Sequence, residues 1–256
     1  MSNDLIIRRM HMFDVIAFDA DDTLWHNEIL YTRAQARFKG LLLATLPEAV
    51  PHAAGWIEQT LYQTESRNLH QYGYGIKGFA LSMIETAIQL TGGRITGQDI
   101  QRIIDIAKDM LNADVELLEQ VRPTLAKLSE SHALMLITKG DLLDQKRKLA
   151  RSGIASYFHY TEIVSDKTHE TYQAIWNQYQ IAPARFLMVG NSLKSDVLPV
   201  VTLGGQAVYI PYHTTWAHEA TADTESAQPG YYQLEHLGLL PALVEQIAQR
   251  DTDEHQ

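Results

Sequence analysis

Residues 13–25, Phe-Asp-Val-Ile-Ala-Phe-Asp-Ala-Asp-Asp-Thr-Leu-Trp, decide how the rest of the chain is read. The run Val15 to Phe18 is apolar and rich in β-branched and aromatic side chains, as in a strand buried on both faces. Three acids follow at once, Asp19, Asp21 and Asp22, and then Thr23. In an open α/β sheet, ligands bind beyond the carboxyl ends of the strands. Asp19 and Asp21 are two residues apart, so extended backbone aims both side chains to one side. Two carboxylates that close raise one pKa unless a cation screens them. Mg²⁺, held by one or two carboxylates plus a substrate phosphate, suits that place. Taken alone, the same acids also suit an ordinary strand-to-turn exit, where Asp is favoured for local hydrogen bonding.

Beyond Trp25 the period of the sequence changes. Leu30, Ala34, Phe38, Leu41 and Leu42 recur at helical spacing and predict a helix over 27–46 that stops before Pro47. A second helical pattern covers 52–69, followed by the polar link His70 to Lys77 (HQYGYGIK). Phe79, Met83, Ala87 and Leu90 mark a third helix closed by Gly92-Gly93, and a fourth covers 96–111. No strand pattern interrupts these four. That is longer than a βαβ crossover requires, so the segment reads as an all-helical cap domain inserted between two strands.

Strands and helices then alternate. Ala133–Ile137, Tyr160–Val164, Phe186–Val189 and Gln206–Ile210 read as strands, with helices over 123–130, 142–152 and 171–179 between them. Short strands alternating with helices predict an α/β fold with a doubly wound parallel sheet, a Rossmann-like core. The expected division is a core of residues 1–25 and 112–256 and a cap of residues 26–111. A loose lead-in over 1–12, a polar loop over 220–230, a last helix over 241–249 and a frayed tail from Arg250 complete the reading.

Composition narrows the function. The chain has 256 residues, a formal net charge of −10 and no basic run, which argues against phosphate-driven nucleic-acid binding. It has no cysteine, which excludes disulfides, thiolate metal sites and cysteine nucleophiles. No signal-peptide core and no long apolar run is present, so a soluble, cytoplasmic protein without a membrane span is expected. No protein partner can be inferred.

Four strand ends carry polar residues: Asp19 with Asp21, Thr138 with Lys139, Lys167, and Asn191 with Asp196. In a parallel sheet these ends share one edge. Each residue suits phosphoryl transfer. One carboxylate can attack phosphorus, and a second can protonate the leaving oxygen. A hydroxyl beside loop N–H groups can hold phosphate oxygens, and a lysine supplies compact positive charge. Singly, Thr138 is an ordinary strand-end residue, Lys167 a solvated lysine, and Asn191 or Ser192 a helix cap.

Jointly these motifs resemble those of the haloacid dehalogenase-like hydrolase superfamily, which groups phosphatases, dehalogenases and related phosphotransferases. Its DxDxT motif is met by Asp19, Asp21 and Thr23; its strand-end Ser/Thr by Thr138; its lysine by Lys167. Its GDxxxxD motif is met by Gly190 and Asp196, with Asn191 in place of the first acid. The resemblance implies a Mg²⁺-dependent phosphatase acting on a small phosphorylated metabolite through an aspartyl-phosphate. Asp19 would be the nucleophile, Asp21 the acid/base, and Thr138, Lys139 and Lys167 the phosphate contacts. Asp19, the main-chain carbonyl of Asp21, Asp196 and Asn191 would surround the metal. A degenerate member that only binds a phosphorylated ligand or partner is the alternative, and a dehalogenase a more remote one, because halide needs no proton to leave. Trp25, at the exit to the cap, and the loop residues Tyr72, Tyr74 and Lys77 are the expected substrate contacts. For the tyrosines, packing between helices is the equal alternative.

If Asp19 is the nucleophile, Asp19→Asn abolishes turnover in a protein that still folds. Steady-state phosphate release within about tenfold of the parent, without deamidation back to Asp, would remove Asp19 from that role.

Overall fold

Residues 12–46, 53–212 and 230–254 are described by the structure, a computed structural model. Six strands form one wholly parallel sheet. They are β1 (Val15–Phe18), β2 (Ala133–Lys139), β3 (Tyr160–Val164), β4 (Phe186–Gly190), β5 (Gln206–Tyr209) and β6 (Tyr231–Gln233), in the order β3-β2-β1-β4-β5-β6. The fold is therefore the doubly wound α/β architecture that the alternation of elements predicts. β1 pairs with β2 on one side and β4 on the other, so the winding reverses there, and all four of its residues are buried. A crevice at such a switch point is where open α/β sheets take ligands.

Side chains alternate across the sheet and sort into two apolar layers. Ile16, Phe18, Leu134, Leu136, Leu187 and Val189 point to one face and pack with Leu125, Leu128, Val244 and Ile247. Val15, Ala17, Met135, Ile137, Phe186 and Met188 point to the other and meet Tyr172, Ile175 and Trp176. The first face is covered by α5 (Val121–Ser129) and α9 (Leu240–Glu254), the second by α7 (His169–Tyr179). Between β2 and β3 runs α6 (Leu142–Ser152), and α8 (Leu198–Thr202) precedes β5.

Four helices stand between β1 and α5: α1 (Glu28–Thr45), α2 (Ala53–Tyr72), α3 (Ile76–Thr91) and α4 (Gly97–Asn112). Ala34, Phe38 and Leu42 are spaced by four, so α1 presents them on one stripe. They join Ile57, Leu61, Phe79, Met83, Ile103 and Ile106 in an apolar cluster separate from both layers of the sheet. Thr96 caps α4 by accepting from the Asp99 N–H at 3.1 Å, and Gly92, left-handed at φ 59°, ends α3.

Several boundaries differ from the sequence reading. α2 runs on to Tyr72, where Gly73 at φ 67° turns the chain, so Tyr72 belongs to the helix and not to the link. The short strand β6 was not expected: its three residues lack any long apolar run, and it is only an edge strand beside β5. α9 extends to Glu254, beyond the expected end at residue 249, and so includes most of the tail expected to fray. The lead-in up to residue 11, most of the 220–230 loop and Pro47 lie outside the described residues. Among the described residues, no helix is long and apolar enough to cross a membrane.

Candidate active site

The exit from β1 sets the geometry. The Asp19 N–H donates to the Val189 carbonyl at 2.9 Å, holding the chain on β4 for one residue past the strand. The chain then coils back, with the Leu24 N–H donating to the Ala20 carbonyl at 2.8 Å and Asp22 left-handed at φ 63°. The Asp22 carboxylate accepts from the N–H groups of Asn27 (2.8 Å) and Glu28 (3.0 Å), and so holds the first turn of α1. All three acids line a cleft between the sheet edge and the four-helix insertion, and Asp22 is the one also bound to the first turn of α1.

Lys167, in the loop after β3, crosses to β1 and β4. Its ammonium donates to Asp19 Oδ1 at 2.5 Å and to Asp196 Oδ1 at 2.7 Å, and all three residues are buried. Burial alone would lower the Lys167 pKa, but the carboxylates of Asp19 and Asp196 hold it above its usual value. Burial pushes the Asp19 carboxyl up to about 7, against the pull of Lys167. Thr23 Oγ1 donates to Asp19 Oδ2 at 2.9 Å, which fixes the other oxygen. Asp196 Oδ2 accepts from the Ser192 N–H at 3.0 Å. Both Asp196 oxygens are thus hydrogen-bonded, one to Lys167 and the other to the loop after β4. The carboxyl of Asp196 also lies against Gly190. A Cβ at Gly190 would sit 2.3 Å from it, so only glycine fits there.

Asp21, two residues beyond Asp19, has its own setting. It accepts from Trp25 Nε1 at 2.6 Å, Gln145 Nε2 at 2.8 Å and Lys148 Nζ at 3.0 Å. Lys148 also donates to Asn27 Oδ1 at 2.8 Å and lies 3.7 Å from Asp144. Gln145 and Lys148 were not singled out from sequence, although the basic helix that carries them was recognised. Their spacing of three on α6 puts both on one face, and no local pattern says which face turns to the cleft.

The other expected contacts divide. Thr138 and Lys139 line the cleft; Lys139 donates to Ser195 Oγ at 2.9 Å and stands 4.2 Å from the centroid of the Tyr74 ring. Tyr74 lines the cleft as expected. Three of the expected substrate contacts do not line it. Trp25 is 1% exposed within an apolar layer, because the coil after β1 turns it inward, and it acts on Asp21 through its indole N–H. Tyr72 is half-exposed on α2, outside the cleft. Lys77 pairs with Asp141 at 2.9 Å, tying α3 to the N-terminus of α6, where Asp141 is the cap residue. Beside that pair Gly75, at φ 126°, lies against the Asp141 backbone. Sequence reasoning also passed over Glu28, Tyr31, Glu65, Asn68 and Ser82, which line the cleft from the insertion. A single acid within a helix gives no signal that it faces inward.

The residues around Asn191 suit a hard cation. The Asn191 amide atom that faces Thr23 lies 3.1 Å from Thr23 Oγ1, 3.2 Å from Asp19 Oδ2 and 3.3 Å from the Asp21 carbonyl oxygen. With the amide nitrogen turned there it would donate to both oxygens. With its oxygen there, three oxygens converge at nearly the spacing, about 3 Å, of neighbouring ligands around Mg²⁺. The buried group of Asp19, Asp196 and Lys167 carries two negative charges against one positive, which a cation would offset. Among the described residues, no three His, Asp or Glu side chains group as metal ligands. The set here combines one carboxylate with a carbonyl and an amide.

A family model, haloacid dehalogenase-like hydrolase, matches residues 13–200, the span that holds every strand-end residue described above. The chain belongs to the haloacid dehalogenase-like hydrolases. A haloacid dehalogenase-like hydrolase from Xanthomonas campestris has the same fold over 95% of this chain and 97% of its own, with a TM-score of 0.82 and 37% identity. The 2-haloacid dehalogenase of Pseudomonas syringae, at 20% identity and a TM-score of 0.61, covers 92% of this chain and shares the fold. Human N-acylneuraminate-9-phosphatase is 25% identical over 185 residues, 70% of this chain and 72% of its own.

The Gly190–Asp196 contact generates a test independent of activity. Gly→Ala at an unstrained position usually stabilises, by limiting the unfolded chain. Gly190→Ala should instead lower stability by about 1–3 kcal/mol, the usual cost of overpacking. Urea unfolding measures it; an unchanged midpoint would show that Asp196 is free to move aside.

Proposed function

We propose that this hydrolase is a phosphatase that cleaves the phosphate monoester of a small metabolite, using Mg²⁺ and an aspartyl-phosphate intermediate. The observation that carries the reading is Asp21: a second carboxylate, two residues past Asp19, lines the same cleft and is held by three donors. Displacing a halide needs no proton for the leaving group, whereas an alkoxide leaves poorly without one. The phosphatase relative at 25% identity supports the same reading.

An oxygen of Asp19 attacks phosphorus, forming a new P–O bond as the ester P–O bond breaks. Asp21 gives its proton to the departing oxygen. It then takes a proton from water as that water attacks the phosphorus of the aspartyl-phosphate, which returns Asp19 and releases phosphate. Lys167, Lys139 and Thr138 lie where they would meet the phosphoryl oxygens. Lys167 favours the ionised form of Asp19 against the burial that raises its pKa, and Thr23 orients it. Mg²⁺, which Asp19, the Asp21 carbonyl and Asp196 would hold together with the Asn191 amide, would supply charge to offset that of the phosphoryl group.

Residues 26–111 we read as the cap of this site. Their own apolar cluster lets the helices move as a unit, and the Lys77–Asp141 pair and the Tyr74–Lys139 contact join them to the core. Closing such a cap excludes water other than the one that reacts.

Mg²⁺-dependent phosphate release from an aryl phosphate tests the activity directly. Asp21→Asn should cost about 10²–10⁴-fold on alkyl phosphates and far less on activated aryl phosphates. Equal losses on both would make Asp21 a structural residue.

Asn191 tests the ion. It offers a neutral oxygen to a cation that dehydrates reluctantly, so Asn191→Asp should lower the Mg²⁺ concentration giving half-maximal rate. An unchanged Mg²⁺ titration would place the amide outside the ion's coordination shell.

A further inference from the structure

The cleft is charged unevenly. Its lysines all come from the core: Lys139 ends β2, Lys167 follows β3 and Lys148 stands on α6. The insertion lines it with Glu28, Tyr31, Glu65, Asn68 and Ser82, each of which has an acceptor oxygen and none of which is a cation. Glu65 is only 7% exposed. Burial first, and then the charges of Asp22 and Glu65, push Glu28 up to about 7; burial pushes Glu65 there too. The Tyr31 hydroxyl is raised by burial and then by Asp21, Glu65, Asp144 and Glu28 around it, so these carboxylates share one space. Lys148, which lines the same cleft, is engaged by Asp21, Asn27 and Asp144.

A separate observation points to a missing donor. Gln145 is 3% exposed and lines the same cleft. Its amide nitrogen donates to Asp21 and to the Lys139 carbonyl, while its buried Oε1 has no hydrogen-bond partner. Unpartnered buried acceptors are rare in folded proteins. Buried carboxylates with raised pKa values are stabilised most by a cation with N–H groups to donate.

We infer that the cap wall selects a leaving group that carries an ammonium group, so that the substrate is the phosphate monoester of an amino sugar or amino alcohol. This rests on the phosphatase reading and specifies its substrate. The phosphate end meets the lysines of the core; the amine end meets Glu28 and Glu65. A neutral polyol supplies donors without charge, and a leaving group with a carboxylate or a second phosphate is repelled by the same wall.

The test compares three hexose derivatives phosphorylated on the same terminal oxygen: the hexosamine, the hexose and the hexonate. An aryl phosphate serves as reference. The expected order of kcat/KM is amine, neutral, acid, with the amine favoured over the neutral sugar by at least about tenfold, as charged hydrogen bonds exceed neutral ones. In Glu65→Gln and Glu28→Gln the amine-to-neutral ratio should fall toward one, with thermal unfolding checking each fold. Equal rates for amine and neutral sugar, a preference for the acid, or ratios unchanged in both variants would overturn the inference. If either variant fails to fold, the wild-type order decides alone. Aryl phosphate hydrolysis without amine preference leaves the phosphatase standing and removes only this inference; no hydrolysis of any of the four removes both.

Discussion

A lysine ammonium sealed between two carboxylates constrains this molecule more than any other contact. Lys167, Asp19 and Asp196 come from three separate strand ends, and none could be buried in its charged form without the others. Their meeting requires β1 to lie beside β4 and one strand away from β3, which is the observed order. It also requires the loop after β4 to press its carboxylate onto β4 itself, which leaves no room for a side chain at Gly190. Sheet order, loop path and the lack of a Cβ at Gly190 thus follow from a single electrostatic need. The excess negative charge that remains is of the sign that a cation would offset.

Much of this could be read from the chain because strand ends in a parallel sheet are collinear in space however far apart they are in sequence. Asp19, Thr138, Lys167 and Asp196 each follow a recognisable apolar run, so their convergence needed only the fold class. Residues placed by helix rotation were not legible. Gln145 and Lys148 reach Asp21 because α6 turns one particular face toward β1, and Glu28 and Glu65 face the cleft because of how four helices pack. Trp25 was read in the right place for the wrong purpose. The tight coil at Ala20 reverses the chain within a turn and drives the indole inward. Tyr72 missed the cleft by position alone, since the helix outlasts the polar pattern that suggested a loop.

The site divides its work between two structural layers. The sheet edge carries the proposed nucleophile, its counter-charge and the proposed phosphate contacts, and β1 and β4 there are wholly buried. The insertion brings acceptor oxygens but no cation to the cleft, on helices that pack mainly on one another. A rigid charged centre with a separately packed wall allows the chemistry to stay constant while the wall changes.

The Lys77–Asp141 pair has a consequence in terms of ionic strength. Both groups are solvent-facing enough that water and salt weaken their attraction, which at such sites amounts to about 0–1 kcal/mol. Added salt screens charges over about 10 Å at 0.1 M and about 3 Å at 1 M, so the tie between the insertion and α6 loosens as the medium becomes saltier. The buried Lys167 group is shielded from those ions and keeps its geometry. Salt therefore acts on this protein selectively, weakening that tie without altering the buried charges at the floor of the cleft.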